Sequence, residues 1–306
     1  MGTLMNRRSF LSATALGATT IALQGAPKQN FHIATNVYPW MTFARRKGKS
    51  WGENLDKDIA NVSKTGVQGF EPIGDSPQQI RELGKLLEKH QLEIRSLYVN
   101  SALHETKGVD ASIRNVLSLA AEAKKLGTKI IVTNPTPIRW GGPENKTDQQ
   151  LITQAKALNL LGQEINQLDL TLAYHNHDAE LRAGAREFHH MLTATDPENL
   201  KLCLDSHWIY RGCGDSQVAL FDAIEHYHSR IVELHLRQSK GGYWTEAFSM
   251  QGDIDYSRLF KQLKAWNINP HFVLEQAIED QSPDTMNAIE AHKVSAENLL
   301  NALERM

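Results

Sequence analysis

The feature that most constrains this chain is a regular alternation of short apolar runs with stretches of helical spacing. Phe31–Val37, Val67–Glu71, Ile94–Asn100 and Lys129–Thr133 read as four strands, rich in β-branched and apolar residues. A fifth opens Leu170-Thr171-Leu172-Ala173-Tyr174-His175-Asn176-His177-Asp178, and three more follow at Lys201–Asp205, Ile231–His235 and His271–Glu275. Between them lie segments with apolar residues three and four apart. Trp51–Thr65 places Leu55, Ile59 and Val62 on one face, and Pro77–His90 does the same with Ile80, Leu83 and Leu87. Val109–Leu126 is stopped by Gly127, and Asp148–Leu168 has Asp148 as its expected N-cap. Ala185–Thr193, Ser216–His228 and Tyr256–Trp266 continue the series, and Ser282–Glu304 closes it with Ser282-Pro283 as cap and first residue.

Alternating βα units imply a parallel sheet. Eight of them in 306 residues imply a closed (β/α)8 TIM barrel rather than an open doubly wound sheet. The open alternative also lacks its glycine fingerprint: Gly-x-Gly occurs only as Gly212-Cys213-Gly214, after the sixth strand. In a barrel every strand opens at its C-terminal end on one face, where active sites sit. Glu71, Asn100, His175, His177, Asp205, His235 and Glu275 therefore converge although they are far apart in sequence.

Taken singly these residues say little. A lone histidine such as His235 is often a packed core residue, Glu275 could pair with a neighbour, and Asp205 could cap the next segment. Four consecutive strands each carrying a metal-capable side chain near the C-terminal end are a different matter, because buried charges need partners. Mixed nitrogen and oxygen donors suit one divalent ion, Mn, Co, Zn or Fe rather than Ca. On strand five, His175 and His177 lie two apart and share a face. One can ligate while the other, at a histidine's near-neutral pKa, moves a proton.

These residues carry a resemblance. Gly69-Phe70-Glu71, Tyr174-His175-Asn176-His177-Asp178, Leu204-Asp205-Ser206-His207-Trp208, Leu234-His235-Leu236-Arg237, Gly252-Asp253-Ile254-Asp255-Tyr256 and Leu274-Glu275 resemble the xylose isomerase-like barrel family. That family includes sugar and sugar-phosphate isomerases, epimerases and inosose dehydratases, and some relatives act on 3-keto-glycosides by elimination. The resemblance spans residues 30–304. It implies one divalent metal held by a Glu, an Asp, a His and a Glu from strands five to eight. Asp205, His235 and Glu275 match the last three. On strand five this chain has His175-Asn176 where relatives have Glu-Asn, so His175 takes the ligand position and His177 an acid/base role. The change also removes one member of the glutamate pair used by ketose epimerases. Glu71 and His207 are further candidate acid/base groups. Metal-dependent repair endonucleases share the architecture, but their Asp-x-His after strand seven is replaced by Gly241-Gly242-Tyr243-Trp244-Thr245-Glu246.

The expected substrate is a small carbohydrate. Tyr38-Pro39-Trp40, Trp140, Trp208 and Trp244 place aromatic rings at the same rim, where rings pack on the apolar faces of sugars. Asn100, His104, Arg237, Lys240 and Glu246 are the expected polar contacts. No glycine loop cradles a phosphate, which favours a non-phosphorylated sugar. A metal-polarised carbonyl acidifies its α-proton, so isomerisation or epimerisation by enolisation is the expected reaction. A 3-keto-glycoside lyase or hydratase, or an inosose-type dehydratase, would use the same ligands. A non-catalytic sugar-binding or partner subunit is the alternative of another class. A formal charge of −2 offers no basic face for nucleic acid. The two cysteines, Cys203 and Cys213, make no disulfide framework, and Cys203 reads as core. Oligomeric state is left open, a homo-oligomer included.

The first 26 residues read as a separate segment ahead of a single barrel domain at 30–306. Arg7-Arg8-Ser9-Phe10-Leu11 followed by an Ala/Thr-rich run resembles a twin-arginine export signal, which predicts a periplasmic protein. The run is too short and too polar for stable membrane insertion.

Overall fold

The computed structural model describes residues Phe31–Arg305, so the proposed export segment lies outside the described residues. Eight parallel strands form one sheet in the order β2-β1-β10-β7-β6-β5-β4-β3. They are β1 (Ile33–Asn36), β2 (Gly69–Glu71), β3 (Ser96–Ser101), β4 (Ile130–Pro135), β5 (Thr171–His175), β6 (Lys201–Asp205), β7 (Ile231–Leu236) and β10 (His271–Leu274). A hairpin of β8 (Ser239–Lys240) and β9 (Tyr243–Trp244) stands apart from the sheet. β2 and β3 close the barrel: Phe70 N donates to Glu93 O at 2.9 Å and Tyr98 N to Pro72 O at 3.0 Å. The sequence reading of a (β/α)8 TIM barrel holds.

The strands are apolar on both faces because both are covered. On β5, Leu172 and Tyr174 belong to the main core between sheet and helices. Ala173 points inward, where it packs with Tyr98, Val132 and Cys203 as a small plug. His175 is the next inward position above that plug. The same alternation puts Asp205 above Cys203 on β6.

Three expectations are corrected, each by a cap. Sequence spacing extends the first strand over Phe31–Val37, but Val37 opens helix α1 (Val37–Arg46), because the Asn36 side chain accepts from Tyr38 N at 2.7 Å. Pro39 falls in the first turn, where its missing N–H costs nothing. Helix α5 (Asp148–Gln167) is capped by Thr147, not Asp148, in a reciprocal box with Gln150. The last helix, α10, runs Ala288–Glu304 with Asn287 as its cap and Glu290 closing the box, not from Ser282. The intervening chain is held off the helix by Glu246. Its carboxylate accepts from Thr285 N, Thr285 Oγ1 and Met286 N, and from Arg46.

Candidate active site and metal centre

Four side chains converge at the open end of the barrel. His175 ends β5, Asp205 ends β6, His235 lies one residue before the end of β7, and Glu275 follows β10. Each offers one nitrogen or oxygen, and these atoms all lie within 4.8 Å of one another. His175, Asp205 and His235 are 0% exposed and Glu275 6%.

The local chain explains the placement. Asp205 is the N-cap of helix α7 (Ser206–Gly212), and its Oδ1 accepts from Trp208 N at 2.9 Å. That leaves Oδ2 without a hydrogen-bond partner, 3.7 Å from His175 Nε2. Asn176 ties the ends of β5 and β6 together: its amide donates to Asp205 O and its Oδ1 accepts from Asp205 N. Glu275 Oε2 lies 2.9 Å from Arg237 Nη2 and 3.4 Å from His235 Nδ1. Burial alone would raise the Glu275 carboxyl, but Arg237 and His235 outweigh it and bring it down to about 2.

The donor set fits a divalent cation. Both nitrogens of His175 and Oδ2 of Asp205 are buried with no partner in the protein, and such atoms in native proteins are normally satisfied. Burial disfavours charge on His235, yet Cys203, Glu71 and Glu275 outweigh it and raise the ring well above an ordinary histidine.

A cavity of about 360 Å³ lies over the cluster. Its wall includes Asn36, Tyr98, Asn100, Trp140, His177, Trp208, Arg237 and Glu275. The rings of Trp140 and Trp208 lie 5.1 and 5.7 Å from that of His177. Arg237 is buried, stands over Trp208 and Trp244 at 5.1 and 4.1 Å, and keeps Nη1 without a partner. A second cleft of about 730 Å³ adjoins at Tyr38 and Trp208 and is lined by Trp244 and Arg211.

The remaining expected site residues separate into those that reach the cavity and those that do not. Asn100, His177, Trp208 and Arg237 reach it, and Trp244 lines the adjoining cleft. His177 departs from the near-neutral pKa expected of it: burial, then His175, push it well below the ordinary value, so its ring is a neutral acceptor. Glu71 is buried behind His235, bonded to the Asn36 amide at 2.6 Å, and is not part of the cavity wall. His207 is sealed against Tyr210 and Trp244, and burial brings it down to about 3. His104 sits beyond β3, 3.9 Å from Glu105 and away from the wall. Lys240 is exposed on the hairpin, whose Gly241-Gly242 turn is held by Asp253. Glu246 is committed to the clasp before α10. Trp40, read as a rim aromatic, donates to Thr35 Oγ1 and stacks on His292 in the core.

Sequence reasoning missed Glu233, Glu180, Asn36 and Tyr98. Tyr98 was available from alternation with Asn100 on β3. Glu180 was not: it lies in a 3-10 turn after β5, accepting from His177 N and the Asn134 amide.

Comparison with known proteins agrees with this architecture. Residues 59–298 match the family model described as xylose isomerase-like TIM barrel. The chain is 25% identical to an inosose dehydratase of Clostridium perfringens, over 77% of this chain and 86% of that one. A sugar phosphate isomerase/epimerase from Parabacteroides distasonis superposes with a TM-score of 0.70 at 16% identity, covering 92% of this chain and 97% of that one. An L-ribulose 3-epimerase superposes at 0.69 and 16% identity, covering 90% and 95%. With eight parallel strands, a rim-facing site and a family match over most of its length, the chain belongs to the xylose isomerase-like TIM barrel family.

Proposed function

We propose that this protein is a divalent-metal-dependent isomerase or epimerase that enolises a non-phosphorylated keto-sugar or sugar derivative. The observation that carries the reading is the buried His175, Asp205, His235 and Glu275 cluster beneath an aromatic-walled cavity. A bound Mn, Co, Zn or Fe ion would polarise the substrate's carbonyl and an adjacent hydroxyl, making the α-proton acidic. The chain's own residues supply the rest. Trp140 and Trp208 flank His177 and pack on the sugar's apolar face. Arg237 offers its unpartnered Nη1 to a substrate oxygen. His177, held neutral by its surroundings, accepts the α-proton and returns it.

A second reading is supported by the inosose dehydratase relatives, whose match covers most of both chains. In that case the same residues take the proton and a β-hydroxyl departs as water. The paired arginines at Arg7 and Arg8 support a periplasmic address for either activity.

The test is solvent-deuterium exchange into keto-sugars and inososes by the metal-loaded protein, with products followed by NMR. Exchange with a rearranged sugar supports the isomerase reading, and exchange with loss of water supports the dehydratase. Tight sugar binding without exchange from any substrate would refute both and leave a binding subunit.

A further inference from the structure

Behind the four-residue cluster lies a pair of carboxylates that the cavity does not use. Glu71 ends β2, and Glu233 lies two residues before His235 on β7; both are 0% exposed. In the sheet, β2 and β7 are separated by β1 and β10, so Glu71 reaches His235 across the barrel interior. His235 Nε2 lies 3.0 Å from Glu71 Oε2 and 3.1 Å from Glu233 Oε1. The other ring nitrogen, Nδ1, faces the cluster, 3.4 Å from Glu275 Oε2. Glu71 is itself anchored, since Asn36 donates to the same Oε2 at 2.6 Å. Cys203 Sγ, 3.5 Å from Glu233 Oε1, packs beneath.

We propose that Glu71 and Glu233 are positioning residues for His235. Together they accept the Nε2–H, which fixes the ring's tautomer and its rotation and leaves the Nδ1 lone pair aimed at His175, Asp205 and Glu275. This rests on the reading of that cluster as a cation site. A neutral imidazole carries one proton, and the hydrogen bond at one nitrogen decides which nitrogen is free to ligate. The opposite tautomer would turn the Nε2 lone pair toward the Glu71 carboxylate 3.0 Å away, a repulsion that low dielectric magnifies. One acceptor would select the tautomer. Two acceptors from strands on different sides of the barrel also stop the ring from swinging. A buried carboxylate pair is costly to keep, and this arrangement gives each member a donor. It takes Glu71 out of the proton-transfer step and gives it a place behind the ligand.

The experiment uses the whole protein, stripped of metal and titrated with Co²⁺ by calorimetry and visible absorption. Glu71→Ala and Glu233→Ala each weaken Co²⁺ binding about 10- to 100-fold and shift the absorption band. Glu71→Gln and Glu233→Gln keep an acceptor oxygen and recover most of the affinity. Parent-like affinity and spectrum in both alanine variants would overturn the proposal, as would glutamine variants as impaired as the alanines. The unaltered protein gives a check independent of folding in the variants. Loaded with zinc and ¹⁵N-labelled at histidine, it shows the remaining His235 proton on Nε2; a proton on Nδ1 overturns the proposal. His235→Ala separates this idea from its foundation, because undiminished Co²⁺ binding there would show that His235 is not a ligand at all.

Discussion

His175 and His177 leave one strand end two residues apart, with ring centres 4.7 Å apart, yet only His177 lines the cavity. His175 lies beneath it, 0% exposed, with both ring nitrogens unpartnered. The pair therefore divides into a buried donor and a cavity-facing acceptor. His175→Ala is expected to lose bound metal. His177→Ala is expected to keep metal but lose turnover and solvent-proton exchange by about 100-fold or more, the usual scale for removing a general base. Metal content and deuterium incorporation, measured on the same samples, check both. Metal loss in His177→Ala with retention in His175→Ala would exchange the two roles.

Asp205 has two jobs on two oxygens. Oδ1 caps helix α7 and Oδ2 faces His175. Asp205→Asn keeps an oxygen for the cap but loses the charge toward the site. It should shed metal while unfolding in chelator at nearly the parent's urea midpoint. Asp205→Ala should lose metal and also about 1 kcal/mol of stability from the lost cap. Equal metal retention in both variants would remove Asp205 from the ligand set.

Glu246 separates stability from chemistry. It is 3% exposed and accepts from Arg46, Thr285 and Met286. Glu246→Ala takes the shared acceptor away from Arg46, Thr285 and Met286, which are half-buried or exposed, and should cost about 1–2 kcal/mol in urea unfolding, with metal stoichiometry unchanged. A variant of normal stability with impaired substrate binding would restore it to the site.

Glu180 gives a pH signature. Burial, then Glu187, raise its carboxyl to about 7. A carboxyl raised on folding adds stability that is fully present below its ordinary value of 4.5 and is lost as pH rises through about 7. The parent's stability relative to Glu180→Gln should therefore fall between those two pH values. Urea midpoints measured across that window check it, and a difference that stays flat would mean Glu180 ionises normally.

The sequence by itself determined the barrel and, to within two residues, the positions of its strand ends. Local patterning suffices there: apolar runs and helical spacing alternate eight times, and β6 was legible to the residue as Lys201–Asp205. His175, Asp205, His235 and Glu275 could be named because each stands at or beside a strand terminus, where barrel topology dictates convergence. The tertiary structure decided everything that depends on direction across the barrel or on competition for a polar group. Glu71 and His235 meet through the interior, which strand order shows and sequence spacing does not. Glu246, Lys240 and His104 carry the right chemistry in the right loops. Their fates were set by a clasp around Thr285, a hairpin turned outward at Gly241-Gly242, and a position beyond β3 beside Glu105. The physical reason is that periodicity is a property of neighbouring residues, whereas a side chain's partner is fixed only when distant segments pack and the buried donors and acceptors must be satisfied together.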